Sequence, residues 1–438
     1  MILHNDFFTC AISFLASLKL NLKDVFMGEG FHGSVPKLQM PGGDSTSSSG
    51  GGYLRGLLNG VPTYDTCASP DGPIPASKPG DAPFSQGRLS YEKSIHCPRG
   101  IHNQTRGVVL LVPCTSCEAS EVFSKTPLGV RLPKAGFDVC WINLPFRGLG
   151  DMQLSGEFVA YAIDHLSGKS PTGKIDVITY SQGGSNAQWA VTFWPSVQAQ
   201  IINLVTIAAP HKGTMMTGLI CPVLNLIGGC LTSVLQMTPT SRYMNALYSR
   251  VNGTGEKEAL VSTTSIYTYA DEIVYPQLSQ SQGASYLSGA SNIALQDVCG
   301  KGYVVEHFGM LIDMATYGLV YDALTHGRPA RTDSFDSQYC KYYSKNLLEF
   351  VRYIPLDFRS VWKTLFGGVL QRAGMIKILL TTWRVTSEPL LMQYVCKAGY
   401  STQSSCTPVG FCRNISTEPL LHKLSITSRK RLTGLKLA

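Results

Sequence analysis

A chain of 438 residues exceeds the ~250–300 at which single cores stop growing, so it holds one large domain or two ordinary ones. With 44% hydrophobic and 15% charged residues it can bury a sizeable core, which excludes disorder throughout. The formal charge of +8 is concentrated at the end, where Lys423, Arg429, Lys430, Arg431 and Lys436 meet no acidic residue after Glu418; the body is mildly basic, and no nucleic-acid footprint is expected on it.

In chain order, residues 7–18 form an apolar run of signal-peptide length, although residues 1–6 carry no Lys or Arg, so a secretory leader here is atypical. No uninterrupted run of ~18 apolar residues follows, and no transmembrane helix is expected. Residues 41–52 (Pro-Gly-Gly-Asp, then Ser, Thr and Gly) cannot bury a core and read as a flexible linker. Residues 1–93 are therefore taken as leader, linker and surface coil, 94–412 as the ordered domain and 413–438 as a basic tail.

Within the domain, residues 107–113 form a continuous apolar run of the kind found in strands buried on both faces. Residues 136–143 and 201–208 repeat it, and helical spacing over 157–166 lies between them. Strands are also expected at 174–180, 265–270 and 293–298, and helices at 185–194, stopped by Pro195, and at 307–324. Strands alternating with helices imply an α/β domain with a mostly parallel central sheet and helices on both faces. Residues 347–383 are apolar at helical spacing, with Trp362, Phe366 and Leu370 on one face.

Thr179-Tyr180-Ser181-Gln182-Gly183-Gly184 joins one such strand to the following helix. Strand, tight turn and helix is the setting of a nucleophile elbow, which lifts a Ser hydroxyl above the sheet and sets the next N–H beside the substrate oxyanion. Ser181 is then the nucleophile and Gln182 the donor, although Thr179 stands where G-x-S-x-G has its first Gly. Alone, S-x-G in a chain with 43 Gly reads equally as a structural turn. The fold takes its acid and base from later loops, in that order. Asp271 closes a strand and His307 follows Val304-Val305-Glu306, both where the fold needs them, while each alone reads as a turn carboxylate or a satisfied histidine. His211 is the reserve base and Glu272 the reserve acid.

Thirteen Cys, none in paired zinc spacing, fit disulfides and an oxidising compartment better than a metal site. Sequons at Asn103, Asn252 and Asn414 agree with a secreted glycoprotein.

On Leu110-Leu111-Val112-Pro113, Cys140-Trp141-Ile142, Thr179-Tyr180-Ser181-Gln182-Gly183-Gly184, Ala187-Gln188-Trp189, Lys212-Gly213-Thr214 and Asp271-Glu272-Ile273-Val274, the chain resembles the fungal lipase B (CalB-type) family of the α/β-hydrolase superfamily. The similarity runs from about Cys97 to Cys406, and the family itself has Thr before the nucleophile dipeptide. The resemblance implies an α/β-hydrolase fold with a helical lid or cap region, lipase or carboxylesterase activity on acylglycerols and other esters, and no cofactor or metal. It places Ser181, Asp271 and His307 on the triad, Thr115 and Gln182 on the oxyanion hole, Tyr180 and Val274 in the substrate pocket, and disulfides at Cys97 with Cys140 and Cys299 with Cys340. Residues 347–383 fall on a mobile helix over the pocket, though their pattern fits a core helix equally.

The chain departs from the family where Pro113-Cys114-Thr115-Ser116-Cys117 replaces Pro-Gly-Thr-Gly. Gly often marks a backbone shape that Cys adopts only with strain, so strain is expected at Cys114, and whether Cys114 bonds Cys117 is open. Tyr180 stands for a Trp and Pro210 for a pocket Asp, so substrate preference does not carry over. Cys396, Cys406 and Cys412 leave a third disulfide open. The sequence reading is thus an extracellular, monomeric ester hydrolase with an ester or lipid substrate and contact with a lipid interface. The alternatives are a catalytically impaired acyl-binding protein on the same fold and an acyltransferase with an acceptor other than water.

Overall fold

The computed structural model describes residues 66–67, 72–76, 78–225, 229–248, 258–278, 280–345, 384–408 and 412–413, all within the compact unit Thr63–Ala438. The leader, the linker at 41–52, the Asn252 and Asn414 sequons, residues 347–383 and the basic tail beyond 413 lie outside the described residues.

Seven strands form one sheet: β1 (Ile95–His96), β2 (Val108–Val112), β3 (Asp138–Ile142), β4 (Ile175–Tyr180), β5 (Ile201–Ile207), β6 (Thr263–Tyr267) and β7 (Ser291–Ala294), in the order β1-β3-β2-β4-β5-β6-β7. β1 runs antiparallel to β3 and the other neighbours are parallel. Every residue of β2, β3 and β4 is buried, as a parallel sheet covered on both faces requires.

Side chains alternate across the sheet with period two, and the two faces accordingly feed different cores. Val108, Leu110 and Val112 pack with α3 (Met152–Ser167) and α4 (Gln182–Phe193). Val109 and Leu111 pack with α2 (Pro127–Lys134) and α6 (Met314–His326). α1 (Arg88–Ser94) joins the first face and α5 (Thr217–Asn225) lies beyond β5 in the chain. No helix among the described residues is long and apolar enough to cross a membrane.

Several boundaries differ from those expected. The segment read as surface coil ahead of residue 94 contributes to the core: Tyr91 is fully buried and donates to Glu157 Oε2 at 2.8 Å, and the Phe84 ring stacks 5.3 Å from Trp194. Its Pro and Gly content hid isolated aromatics that are anchored individually. The run expected as a strand at 293–298 turns helical at Leu295. The helix expected from His307 starts at Met314 because Asp313 caps it, its carboxylate accepting the Thr316 N–H at 2.7 Å. That shift leaves His307 in a loop.

Disulfides join Cys97 to Cys140 and Cys299 to Cys340, and also Cys114 to Cys117, Cys221 to Cys230 and Cys396 to Cys406.

Candidate active site

At the carboxyl end of β4 the chain turns sharply into α4. Ser181 takes φ 55° and ψ −127°, a backbone shape costing an L residue about 1–3 kcal/mol. The fold imposes it through two hydrogen bonds: Ser181 N–H to Ile207 O at 2.8 Å and Gly184 N–H to Ser181 O at 3.0 Å. Thr179 is accommodated because it is still extended within β4 and has no positive φ. The positions that need smallness are Gly183, where an added Cβ would lie 2.7 Å from the carbonyl oxygens of Val112 and Pro113, and Gly184, where it would lie 2.4 Å from that of Ala209.

His307 Nε2 lies 3.1 Å from Ser181 Oγ, and its Nδ1 lies 3.0 and 2.9 Å from the two carboxylate oxygens of Asp271. All three side chains are buried. Asp271 Oδ1 also accepts the N–H groups of Ile273 at 3.0 Å and Val274 at 2.7 Å, which fixes the carboxylate in its turn. With Nδ1–H held by the carboxylate, Nε2 is free to take the Ser181 proton.

The reserve residues occupy other places. His211 Nε2 pairs with Thr206 Oγ1 at 2.9 Å. Glu272 Oε2 accepts the backbone N–H of His307 at 3.0 Å, so it holds the main chain of the histidine and not its ring. Burial raises the Glu272 carboxyl above its ordinary value, and the His307 N–H offsets part of that rise.

Tyr180 and Val274, the two residues expected in the substrate pocket, are both buried beside the site. Tyr180 is fully buried, its hydroxyl donating to His307 O at 3.1 Å, so the phenol braces the main chain of the histidine. A Trp at that position has no hydroxyl with which to do so. Val274 is 1% exposed, and its backbone N–H is what bears on Asp271. The His307 peptide is thus gripped at both its N–H and its C=O, a pairing the sequence signals only in that Glu272 adjoins Asp271 and Tyr180 adjoins Ser181.

Opposite the elbow, the Thr115 hydroxyl donates to Gln182 Oε1 at 2.5 Å. The expected strain at Cys114 is displaced: the positive φ falls on Ser116, at 65°, the second glycine of the family's Pro-Gly-Thr-Gly. Cys114 is 5% exposed and bonded to Cys117, and Arg147 holds the loop through Nε to Ser116 O at 3.1 Å while pairing with Glu118 at 3.2 Å and with Glu121. An open surface depression lined by Glu92, Cys97, His165 and Lys169 lies at the β1 edge and takes no residue from the elbow.

A strained serine on a strand-to-helix turn of a mostly parallel sheet, with a buried imidazole on its hydroxyl, marks a serine hydrolase of the α/β-hydrolase fold. The chain is 34% identical over 247 residues to lipase B of Pseudozyma antarctica, a match covering 56% of this chain and 69% of that one. It also matches the crystal structure of Aspergillus fumigatus lipase B at 30% identity and a TM-score of 0.61, covering 78% of this chain and 80% of the other. No family model matches the chain. On these relatives the protein belongs to the fungal lipase B family.

Proposed function

We propose that this lipase or esterase cleaves acylglycerols or other carboxylic esters through Ser181, His307 and Asp271, by way of an acyl-enzyme. His307 takes the Ser181 proton as Oγ attacks the ester carbonyl, and Asp271 orients the imidazole and stabilises its charged form. The oxyanion is met by the N–H groups of Thr115 and Gln182 and by the Thr115 hydroxyl. The imidazolium then protonates the leaving alcohol, and a water, activated in turn by His307, releases the acid. No step calls for a metal or cofactor. The observation that carries this reading is the single imidazole within hydrogen-bond reach of both Ser181 Oγ and Asp271.

Met215, Leu219 and Ile220, at and just before the start of α5, and Leu278 are large exposed apolar residues on loops and a helix that follow β5 and β6, and Met215 N–H bonds Tyr275 O at 3.0 Å. They support contact with a lipid interface, and five disulfides among the described residues support an extracellular, oxidising location.

A panel of p-nitrophenyl esters from acetate to palmitate, with Ser181→Ala as control, tests the proposal. Ser181-dependent release across the panel is expected. Binding of the acyl chain without turnover would turn the reading to an impaired acyl-binding protein, and transfer to an added alcohol in preference to water would turn it to an acyltransferase.

A further inference from the structure

One buried group at the elbow has no task in that mechanism. The Gln182 side chain is fully buried, and while its Oε1 accepts the Thr115 hydroxyl, its Nε2 has no hydrogen-bond partner among the described residues. Leaving a buried amide N–H unpaired typically costs about 1–3 kcal/mol. The nitrogen lies against Gly148, where an added Cβ would sit 3.4 Å from Nε2 and 3.2 Å from Cys114 O, and whose φ of 72° suits glycine. The chain has kept that space clear of a side chain.

With the amide this way round, the single proton of the Thr115 hydroxyl is committed to Gln182 and cannot be given to an oxyanion. A carboxamide turned by half a turn about its last bond has nearly the same shape. Once turned, Nε2 donates to Thr115 Oγ1 and Oε1 takes the place against Gly148. The hydroxyl then accepts from the amide, and its own proton is released. The unpaired group changes from an N–H to a carbonyl oxygen, which proteins tolerate more readily.

We infer that the Gln182 side chain is a positioning residue, whose amide, turned to donate to Thr115, frees the Thr115 hydroxyl proton as a third oxyanion donor beside the Thr115 and Gln182 N–H groups. This rests on the oxyanion site of the proposed function and deepens it. Hydrogen bonds to a charged acceptor are roughly twice as strong as neutral ones, so the turn is favoured most once the tetrahedral oxyanion has formed. A contact of that kind raises kcat and leaves KM nearly alone. The Cys114–Cys117 bridge and the Arg147 bond to Ser116 hold the Thr115 main chain while only the amide and hydroxyl turn.

A double-mutant cycle on Thr115→Val and Gln182→Met, read as kcat and KM on one p-nitrophenyl ester, tests this. Thr115→Val is expected to lower kcat about 100-fold with KM little changed, the usual loss for one oxyanion donor, and Thr115→Ser to restore most of it. Gln182→Met should cost roughly 10-fold with the hydroxyl present and less than about twofold in Thr115→Val, because its effect runs through the hydroxyl. An aryl boronic acid, which forms a tetrahedral adduct on the serine, should lose affinity in the same pattern. If Gln182→Met does not fold by circular dichroism, Gln182→Leu serves in the same cycle, since it too offers the Thr115 hydroxyl neither a donor nor an acceptor. Equal losses in both Thr115 backgrounds would overturn the inference alone. A wild type no faster than Ser181→Ala would overturn the proposed function and the inference together.

Discussion

In the proposed mechanism the three side chains that meet at the elbow act as one unit, each depending on the others. Ser181→Ala, Asp271→Asn and His307→Ala are each expected to lower kcat by about 10⁴-fold or more with the melting temperature nearly unchanged, and the triple variant should be little worse than Ser181→Ala. Near-normal turnover in His307→Ala, with loss in His211→Ala, would move the base to His211. Glu272 and Tyr180 act a step further out, on the His307 peptide. Tyr180→Phe removes one hydroxyl and keeps the ring that lies 5.2 Å from the imidazole. It is expected to lower kcat several-fold, by loosening the base, with little change in KM, and a kcat equal to wild type would show that the brace is not felt at the ring.

At the scale of elements, β4 and β5 carry a buried charge problem below the elbow. Asp176 in β4 is 2% exposed, and its carboxylate accepts a hydrogen bond from Asn203 Nδ2 at 3.1 Å. Burial pushes its carboxyl up to about 7, against the lowering effect of Asn203. A carboxyl raised on folding binds its proton more tightly in the native state. Its contribution to stability is therefore fully present below its unfolded pKa of about 4 and is lost as pH rises through about 7. Denaturant titrations of wild type and Asp176→Asn should diverge across that window, the variant gaining on the order of 3 kcal/mol relative to wild type between pH 4 and pH 8. Glu157, raised to about 7 by burial against the lowering effect of the hydrogen bonds it accepts from Ser85 and Tyr91, adds a slope of the same sign to both proteins and cancels in the comparison. A difference between wild type and variant that is the same at both pH values would show that Asp176 is ionised in the native state throughout.

At the scale of the whole molecule, what could be read in the sequence follows from what leaves a local pattern. Buried parallel strands are written as apolar runs, so 107–113, 136–143 and 174–180 predict β2, β3 and β4 closely, and the strand-turn-helix setting of Ser181 marks the elbow. Contacts across the sheet leave no such trace. That Tyr180 braces His307 over 127 positions, that Tyr91 reaches Glu157, and that the strain sits on Ser116 and not Cys114 all depend on which loops the fold brings together.

The two long-range disulfides belong to the same scale, because they tie down opposite ends of the sheet. Cys97 follows β1 and bonds Cys140 within β3 at one edge, while Cys299 follows β7 at the other and bonds Cys340. A sheet of this kind is weakest at its edges, where a strand has a neighbour on one side only. The second bridge closes a loop with a sequence separation of 41 residues, and that loop contains His307. In the chain-entropy account, closing a loop of this length stabilises the fold by about 4 kcal/mol. Cys299→Ser with Cys340→Ser should therefore lower stability by up to about that amount and lower kcat as well, since the segment that carries His307, the proposed base, then loses its covalent tie and keeps only non-covalent ones such as the Glu272 and Tyr180 bonds. Cys396→Ser with Cys406→Ser, whose bridge spans 10 positions far along the chain from the triad, is the control: it should lose stability with kcat intact. If the two pairs lost kcat equally at a temperature where both remain folded, the loss would be general loosening, and the bridge at β7 would have no particular hold on His307.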